Sequence, residues 1–297
     1  MVDIHNAKER IEWSKKSITQ RFSKNNARIP CRFLTRLRLE NKSYGRVANY
    51  ADCCIRILKL KDDQNIQDWT RDNIEYIHQL VADSDHANSV KKSTLTTLKR
   101  LYHFAIHNEI PDKSKGHEYD AVVSWITPGT FQDKFNKIQS RDLLTDNELL
   151  ELIQAVKVIG GRYLKRNLAI VYLMLEGAYR PGELFNIVIG GIEFHDDFVR
   201  VSTTGKTGTK TLTLVASYMP LKEWLDVHPN SDDPDSFLLY DDNSDEIMKY
   251  TSFLYMFTTA KKKAKIKKRV WPYLFRHPEN PKLQTFMDEI WSYVNEK

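Results

Sequence analysis

The sequence predicts a mainly helical chain with a small antiparallel β-sheet, an α+β fold in two domains. Three observations carry this. Apolar residues recur every three or four positions from about residue 29 to 110, and again after residue 145. The period shortens to two in only two short runs, Phe198–Ser202 and Thr211–Val215. Between the helical blocks, Pro111 opens a stretch to about residue 140, containing Pro128 and Gly129, that has no clear period. A chain of 297 residues has room for two ordinary cores.

Residues 3–25 read as a polar, charged helix, so 1–27 is expected to form an N-terminal helical arm. The first domain is expected over 28–110. Ser43 can cap a helix whose residues Val47, Tyr50, Cys54 and Leu58 share a face. Thr70 can start another, with Ile74, Ile77 and Val81 inward, and a third runs from about Ser89 to His107 with Val90, Leu98, Leu101 and Ala105 as its core stripe. Residues 111–140 read as a linker, and 141–297 as the second domain. That domain opens on Thr145-Asp-Asn-Glu148, a capping-box pattern. A helix follows from about Arg162 to Ala178. The two alternating runs flank Gly205-Lys-Thr-Gly208 as a hairpin, and helices resume near Tyr218–Val227 and Met248–Ala264.

Composition narrows the function. The apolar run Leu168–Leu175 is far too short for a bilayer, and the first turns hold Asp3, His5, Lys8 and Glu9 in place of a signal-peptide core. A cytoplasmic protein without a membrane partner is expected. Cys31, Cys53 and Cys54 suit a reducing compartment, and no Cys-x-x-Cys or His-Glu-x-x-His spacing supports a metal site. The net charge of +6 favours a polyanionic partner. Lys91, Lys92, Lys99 and Arg100 decorate the third helix, where they form a solvated face or a track for a phosphate backbone.

Three pieces of the second domain can carry chemistry. In Gly177-Ala-Tyr-Arg180-Pro-Gly-Glu183-Leu184 one helix ends and another begins, with Pro181 suited to its first position. Arg180 would then offer a guanidinium at a helix N-terminus, a favourable place for phosphate, or else pair with Glu183 as a surface cap. Lys206 sits on the hairpin loop, where a lysine can enter a DNA groove and give a proton to a leaving oxygen. An ordinary charged turn is the plainer reading. A nucleotide-binding P-loop is excluded there, since Arg200 stands where the first glycine belongs and a strand follows where a helix is needed. The third piece is Trp271-Pro-Tyr273-Leu-Phe-Arg276-His277. It follows Lys261–Arg269, where seven of nine residues are basic, among them Lys261, Lys262, Lys265 and Lys268.

In this order the three pieces resemble the tyrosine recombinases, or phage-integrase family. The family pattern is Gly-x-Arg-x-x-Glu-Leu, a hairpin Gly-Lys, then His-x-x-Arg-His. Arg180 with Glu183-Leu184 matches the first, Lys206 the second and Arg276-His277 the third, with Tyr273 where the family has His or Lys. Pro-Tyr-Leu-Phe-Arg-His looks most like archaeal members. The resemblance spans about residues 28–277 and implies a helical core-binding domain followed by a tyrosine-recombinase-like catalytic domain, incomplete after about 277.

The resemblance implies double-stranded DNA as partner, homo-oligomers on DNA (tetramers in active members), and strand breakage and rejoining through a phosphotyrosyl link without a nucleotide or other cofactor. Arg180 and Arg276 would hold the non-bridging oxygens, Lys206 would protonate the leaving 5′ oxygen, Tyr273 would hydrogen-bond the phosphate and His277 would support Arg276. The basic residues Lys91, Lys92, Lys99, Arg100, Lys261, Lys262, Lys265 and Lys268 would meet the backbone.

The nucleophile does not follow the pattern. The family's further Gly-His element does not appear after Arg276, and Pro278 and Pro281 stand where the family continues a helix. Tyr293 is the one tyrosine downstream, and its spacing with Phe286 and Ile290 suits packing as well as attack. Two accounts follow: a remnant that binds DNA without cleaving it, which this ending favours, or a divergent enzyme using Tyr293 or a neighbouring protomer's tyrosine. A regulatory DNA-binding protein is the rival from another class.

Overall fold

A computed structural model describes residues 2–61, 64–111, 118–131, 140–205, 208–241 and 246–276, with the backbone alone at Ser140 and Arg276. Lys206, His277 and Tyr293 therefore lie outside the described residues. The chain divides into an N-terminal unit, His5–Asn136, and a C-terminal unit, Lys137–Lys297 together with Met1–Ile4.

The N-terminal unit is helical: α1 (Ala7–Arg21), α2 (Lys24–Leu39), α3 (Tyr44–Lys59), α4 (Arg71–Asp83), α5 (Asn88–His107) and the short α6 (Ala121–Ser124). The expected stripes are buried, Val47, Tyr50, Cys54 and Leu58 on α3, Ile74, Ile77 and Val81 on α4, and Leu98, Leu101 and Ala105 on α5, except that Val90 in the first turn of α5 is only half-buried. Ser43 accepts the Arg46 N–H, and Thr70 and Asn73 form a reciprocal capping box. The residues read as an arm instead form α1 and the start of α2. Ala7, Ile11 and Ile18 are buried in the same core as Phe33 and Leu34, and Arg10 pairs with Asp52 of α3 at 2.5 Å. In the stretch read as a linker, Val123 and Ile126 enter this core too.

The C-terminal unit holds α7 (Asp146–Ile159), α8 (Leu164–Gly177), the four-residue α9 (Pro181–Leu184), α10 (Tyr218–Leu225) and α11 (Tyr250–Lys263). A three-stranded antiparallel sheet is ordered β1 (Ile192–Phe194), β2 (Val199–Gly205), β3 (Gly208–Leu214), and β4 (Tyr240–Asp241) pairs with β5 (Glu246–Ile247). Its core is built around α8, where Ala169, Ile170, Val171, Leu173, Met174 and Leu175 are all at most 1% exposed. The apolar run noted in the sequence is thus a buried helix, and no described helix is long and apolar enough to cross a membrane. Thr145 and Glu148 close the expected capping box at the start of α7. Val2 and Ile4 join this unit, the Val2 N–H donating to Asn186 Oδ1 at 2.8 Å.

Candidate active site and nucleic-acid interface

The turn between α8 and α9 is built to present Arg180. α8 ends at Gly177, and Ala178 follows in the left-handed region at φ 44°. A side chain at 177 would lie 2.2 Å from Tyr179 Cε2, so glycine there makes room for the fully buried Tyr179 ring. Arg180 then caps α9, with Pro181 at its first position as the sequence predicts.

Glu183, 3% exposed, is the centre of the site. Its Oε1 accepts from Arg180 Nη1 at 2.6 Å and its Oε2 accepts from the Arg180 backbone N–H at 2.9 Å. Lys210 of β3 lies 3.2 Å from the same Oε2, with its ammonium 4.4 Å from the centre of the Tyr179 ring. The structure shows the cap reading of Arg180. Arg180 pairs with Glu183, and 43% of its side chain remains in solvent, open to an anion. One carboxylate and two cations leave a net positive site. The helix dipole contributes little, because four residues align too few peptides. Burial alone pushes the Glu183 carboxyl up. Hydrogen bonds from the Arg180 backbone and side chain and from Lys210 outweigh it, and the net shift is downward.

The hairpin is tied to this centre. Thr203 Oγ1 donates to the Glu183 carbonyl at 2.6 Å, and a side chain at Gly205 would meet Glu183 Cγ at 2.7 Å. Gly205 of β2 pairs with Gly208 of β3, whose φ is 108°, and Lys206 and Thr207 between them lie outside the described residues. The predicted hairpin is present, with its strands extended to Gly205 and Gly208 beyond the runs read in the sequence. Glu176 fixes its far end, accepting the Val215, Ala216 and Ser217 N–H groups at 2.5–3.1 Å.

Tyr273 and the backbone of Arg276 lie in the 3₁₀ turn Pro272–Arg276. Leu274 and Phe275 are buried, Phe275 against Phe257 of α11, while Tyr273 is 49% exposed. An aromatic path joins this turn to α9. Phe185 packs edge-on to Tyr250 at 6.0 Å, and the Tyr250 phenol is raised first by burial and then by Tyr273.

The basic residues fall into different roles. Lys268 donates to Leu143 O and Glu148 Oε2, both at 2.7 Å, and braces the start of α7. Lys262 and Lys265 are exposed and Lys261 is half-buried. In the N-terminal unit, Lys91 donates to Ala82 O near the end of α4, and Lys99 to Ser124 O at the end of α6 and to Ile126 O beyond it. Arg100 bonds Tyr50 Oη at 2.7 Å. Lys92 is exposed beside an opening of about 240 Å³ between α3 and α5, lined also by Arg46, Asn49 and Thr96 and by no carboxylate. The sequence reading missed Lys210 and Arg46. Lys210 lies four residues after Lys206 on a strand whose alternation carries it to the Glu183 side, a signal that was available.

Residues 142–280 match the model of the phage integrase family. The chain carries a tyrosine-recombinase domain. Solved structures of similar fold include a lambda integrase dimer bound to a COC′ core site, at 15% identity over 84% of this chain and 85% of that one, with a TM-score of 0.61. They also include the Tn1549 transposon integrase with transposon right end DNA, at 12% identity, 87% and 90% coverage and a TM-score of 0.60. XerH recombinase bound to its difH substrate matches at 13% identity, 91% and 82% coverage and a TM-score of 0.58. None of the curated protein sequences matches. The coverage extends over both units, so the N-terminal helices share the fold as well as the tyrosine-recombinase domain.

Proposed function

We propose that the chain binds duplex DNA as a site-specific recombinase does, gripping one backbone phosphate at Arg180. The observation that carries this reading is the Arg180–Glu183–Lys210 cluster. It is a half-exposed guanidinium held by a buried carboxylate against Gly205, the residue that precedes Lys206 in the sequence. Arg276 supplies the second fork on the non-bridging oxygens, and Tyr273, half in solvent, a hydrogen bond to them. His277 supports Arg276. Lys92, Lys91, Lys99 and Arg100, with Lys261, Lys262, Lys265 and Lys268, contribute positive field along the backbone.

The remnant account stops at DNA binding; if the chain cleaves, the reaction class is transesterification. In the divergent-enzyme account, Tyr293 Oη bonds to phosphorus as its phenol proton passes to solvent water, the P–O5′ bond breaks, and the 5′ oxygen takes a proton from Lys206. One phosphodiester is exchanged for another, so the balance needs no external energy source. Paired sites for such exchange call for a homo-oligomer on DNA, a tetramer in the active assembly.

The test is to incubate the protein with nicked duplexes and look for a complex that survives denaturant. An adduct that disappears in Tyr293→Phe supports cleavage by that residue. In Lys206→Ala the adduct should form slowly, and a 5′-bridging sulfur should restore its rate, since a thiolate leaves without a proton. Salt-sensitive binding with no adduct from any substrate assigns the chain to DNA binding alone. Unchanged affinity in Arg180→Ala removes the phosphate grip altogether.

A further inference from the structure

Helix α2 carries charge that no part of the proposed site uses. Its inner residues Ala27, Pro30, Phe33, Leu34 and Leu37 are buried, and its outer face sets Arg28, Arg32 and Arg36 at four-residue intervals. Four residues of helix rise about 6 Å, so the three guanidinium roots follow a line of about 12 Å on one side of the helix. All three are exposed. Arg32 donates to Asn108 Oδ1 at 2.7 Å, and Arg36 pairs with Glu40 at 3.6 Å, an i,i+4 surface pair of little energy that leaves 53% of the Arg36 side chain in solvent.

The row is flanked by two openings, of about 450 and 420 Å³, which share Arg28, Arg32, Phe104 and Asn108. Neither is lined by an Asp or Glu among the described residues. Apart from the arginines, their polar walls come from Lys15, Thr35, Asn25, Asn65 and Gln67. Arg, Lys, Asn, Gln and Thr are the residues that contact phosphate and sugar. A protein interface would be expected to show more aromatic side chains and methionine at its centre, and here Phe104 is the single aromatic in either wall. On α5, Phe104 lies 12 residues, or roughly 18 Å, beyond Lys92, which lines the α3–α5 opening, and Asn108 caps the end of that helix. At 3.4 Å per step along a strand that is about five nucleotides.

We infer that the Arg28–Arg32–Arg36 row is a second sugar-phosphate contact surface, which takes the backbone of the bound duplex beyond the part that Lys92 would meet at the α3–α5 face. This rests on the reading that the chain binds DNA. The row would extend the footprint without reading bases, since guanidiniums at helical spacing address phosphates and leave sequence to other elements.

The test is the salt dependence of duplex binding. On a 40-base-pair duplex, Arg28→Gln/Arg32→Gln/Arg36→Gln should lower the slope of log affinity against log salt by about 2–3, near 0.9 per lost phosphate contact. On a 14-base-pair duplex the same variant should change the slope by less than one such contact. Arg46→Gln/Lys92→Gln should lower it on both. An unchanged slope for the α2 variant on the long duplex, beside a reduced one for Arg46→Gln/Lys92→Gln, overturns this inference and leaves DNA binding standing. An unchanged slope in Arg46→Gln/Lys92→Gln instead counts against the α3–α5 face. An equal loss on both duplexes also overturns the second surface. As an independent readout, Thr35→benzoylphenylalanine, between Arg32 and Arg36, should photo-crosslink to the long duplex. Capture of a second copy of the chain in its place would make the row a protein contact and overturn the proposal.

Discussion

Lys99 and Arg180 are both partly exposed cations that the sequence offers to a phosphate, yet the structure holds them in opposite ways. Lys99 closes the carbonyls of Ser124 and Ile126, so part of its donor capacity is taken by the chain's own backbone. Arg180 is held from behind by the buried Glu183, which fixes the guanidinium while part of it stays in water. The same contrast separates Lys91 and Lys268 from Lys210. A lysine on a helix surface finds nearby carbonyls easily, because helix ends leave them unpaired. A cation set on a buried carboxylate keeps its direction and, when a second cation shares that carboxylate, its net charge. Local charge density therefore says less about phosphate binding than the way each charge is anchored.

Removing the anchor is the strongest way to break this contrast. Glu183→Gln leaves Arg180 and Lys210 without their shared charge and weakens the cap of α9. We expect the C-terminal unit to lose about 2–4 kcal/mol in chemical denaturation, less than for a fully buried pair because both cations are a third or more in solvent. The N-terminal unit should unfold as before. Comparable loss in both units would show that Glu183 does not act locally.

The glycines that shape the anchor come next. Gly177→Ala drives a methyl into the buried Tyr179 ring, and Gly205→Ala drives one into the Glu183 stem. Each should cost about 1–3 kcal/mol of stability by overpacking. Gly205→Ala should also weaken DNA binding, because Arg180 turns with Glu183. A normal melting curve for Gly177→Ala would show that the Tyr179 ring has room to move.

Much of this was legible in the sequence, and the reasons differ by element. Helices were readable because capping and periodicity are local: Ser43, Thr70 and Thr145 each sit where the structure caps a helix. The hairpin was readable because alternation and two glycines agree. β1, β4 and β5 were not, since two or three residues carry no period. The packing of α1 into the first core depends on Ile11 and Ile18 meeting residues far along the chain, as does the Arg10–Asp52 pair. Arg180 was legible by its motif. Glu183 was visible as its neighbour, but its burial and its hold on Lys210 are tertiary facts.

Acid sharpens the comparison further. The Glu183 carboxyl is lower in the folded chain than its ordinary value, so it stabilises the C-terminal unit fully above that value. That contribution is lost as pH falls from about 4.5 through the depressed folded pKa. Glu148, pushed up by burial and drawn down further by Lys268 and Thr145, acts in the same unit and the same direction. In the N-terminal unit Asp120 follows the same sign: burial raises it, and the Val122 N–H and His107 lower it more. The C-terminal unit should weaken below about pH 4.5 and the N-terminal unit only below about pH 3.8. The C-terminal unit should lose part of that dependence in Glu183→Gln, as followed by acid titration of tryptophan fluorescence and circular dichroism.

The smallest effects separate lysines that hold the fold from those that face a partner. Lys99→Met removes two hydrogen bonds to carbonyls, and we expect the N-terminal unit to lose about 1 kcal/mol, since the ammonium is partly hydrated. Lys92→Met, beside the α3–α5 opening, should leave stability within about 0.5 kcal/mol of the original. For DNA affinity the order reverses. Lys92→Met should lower the salt slope by about one contact, and Lys99→Met by less, because part of its charge already lies against Ser124 and Ile126. Equal salt slopes for the two variants would mean that the carbonyl bonds of Lys99 give way to phosphate when DNA arrives, and that anchoring by backbone is reversible where anchoring by Glu183 is not.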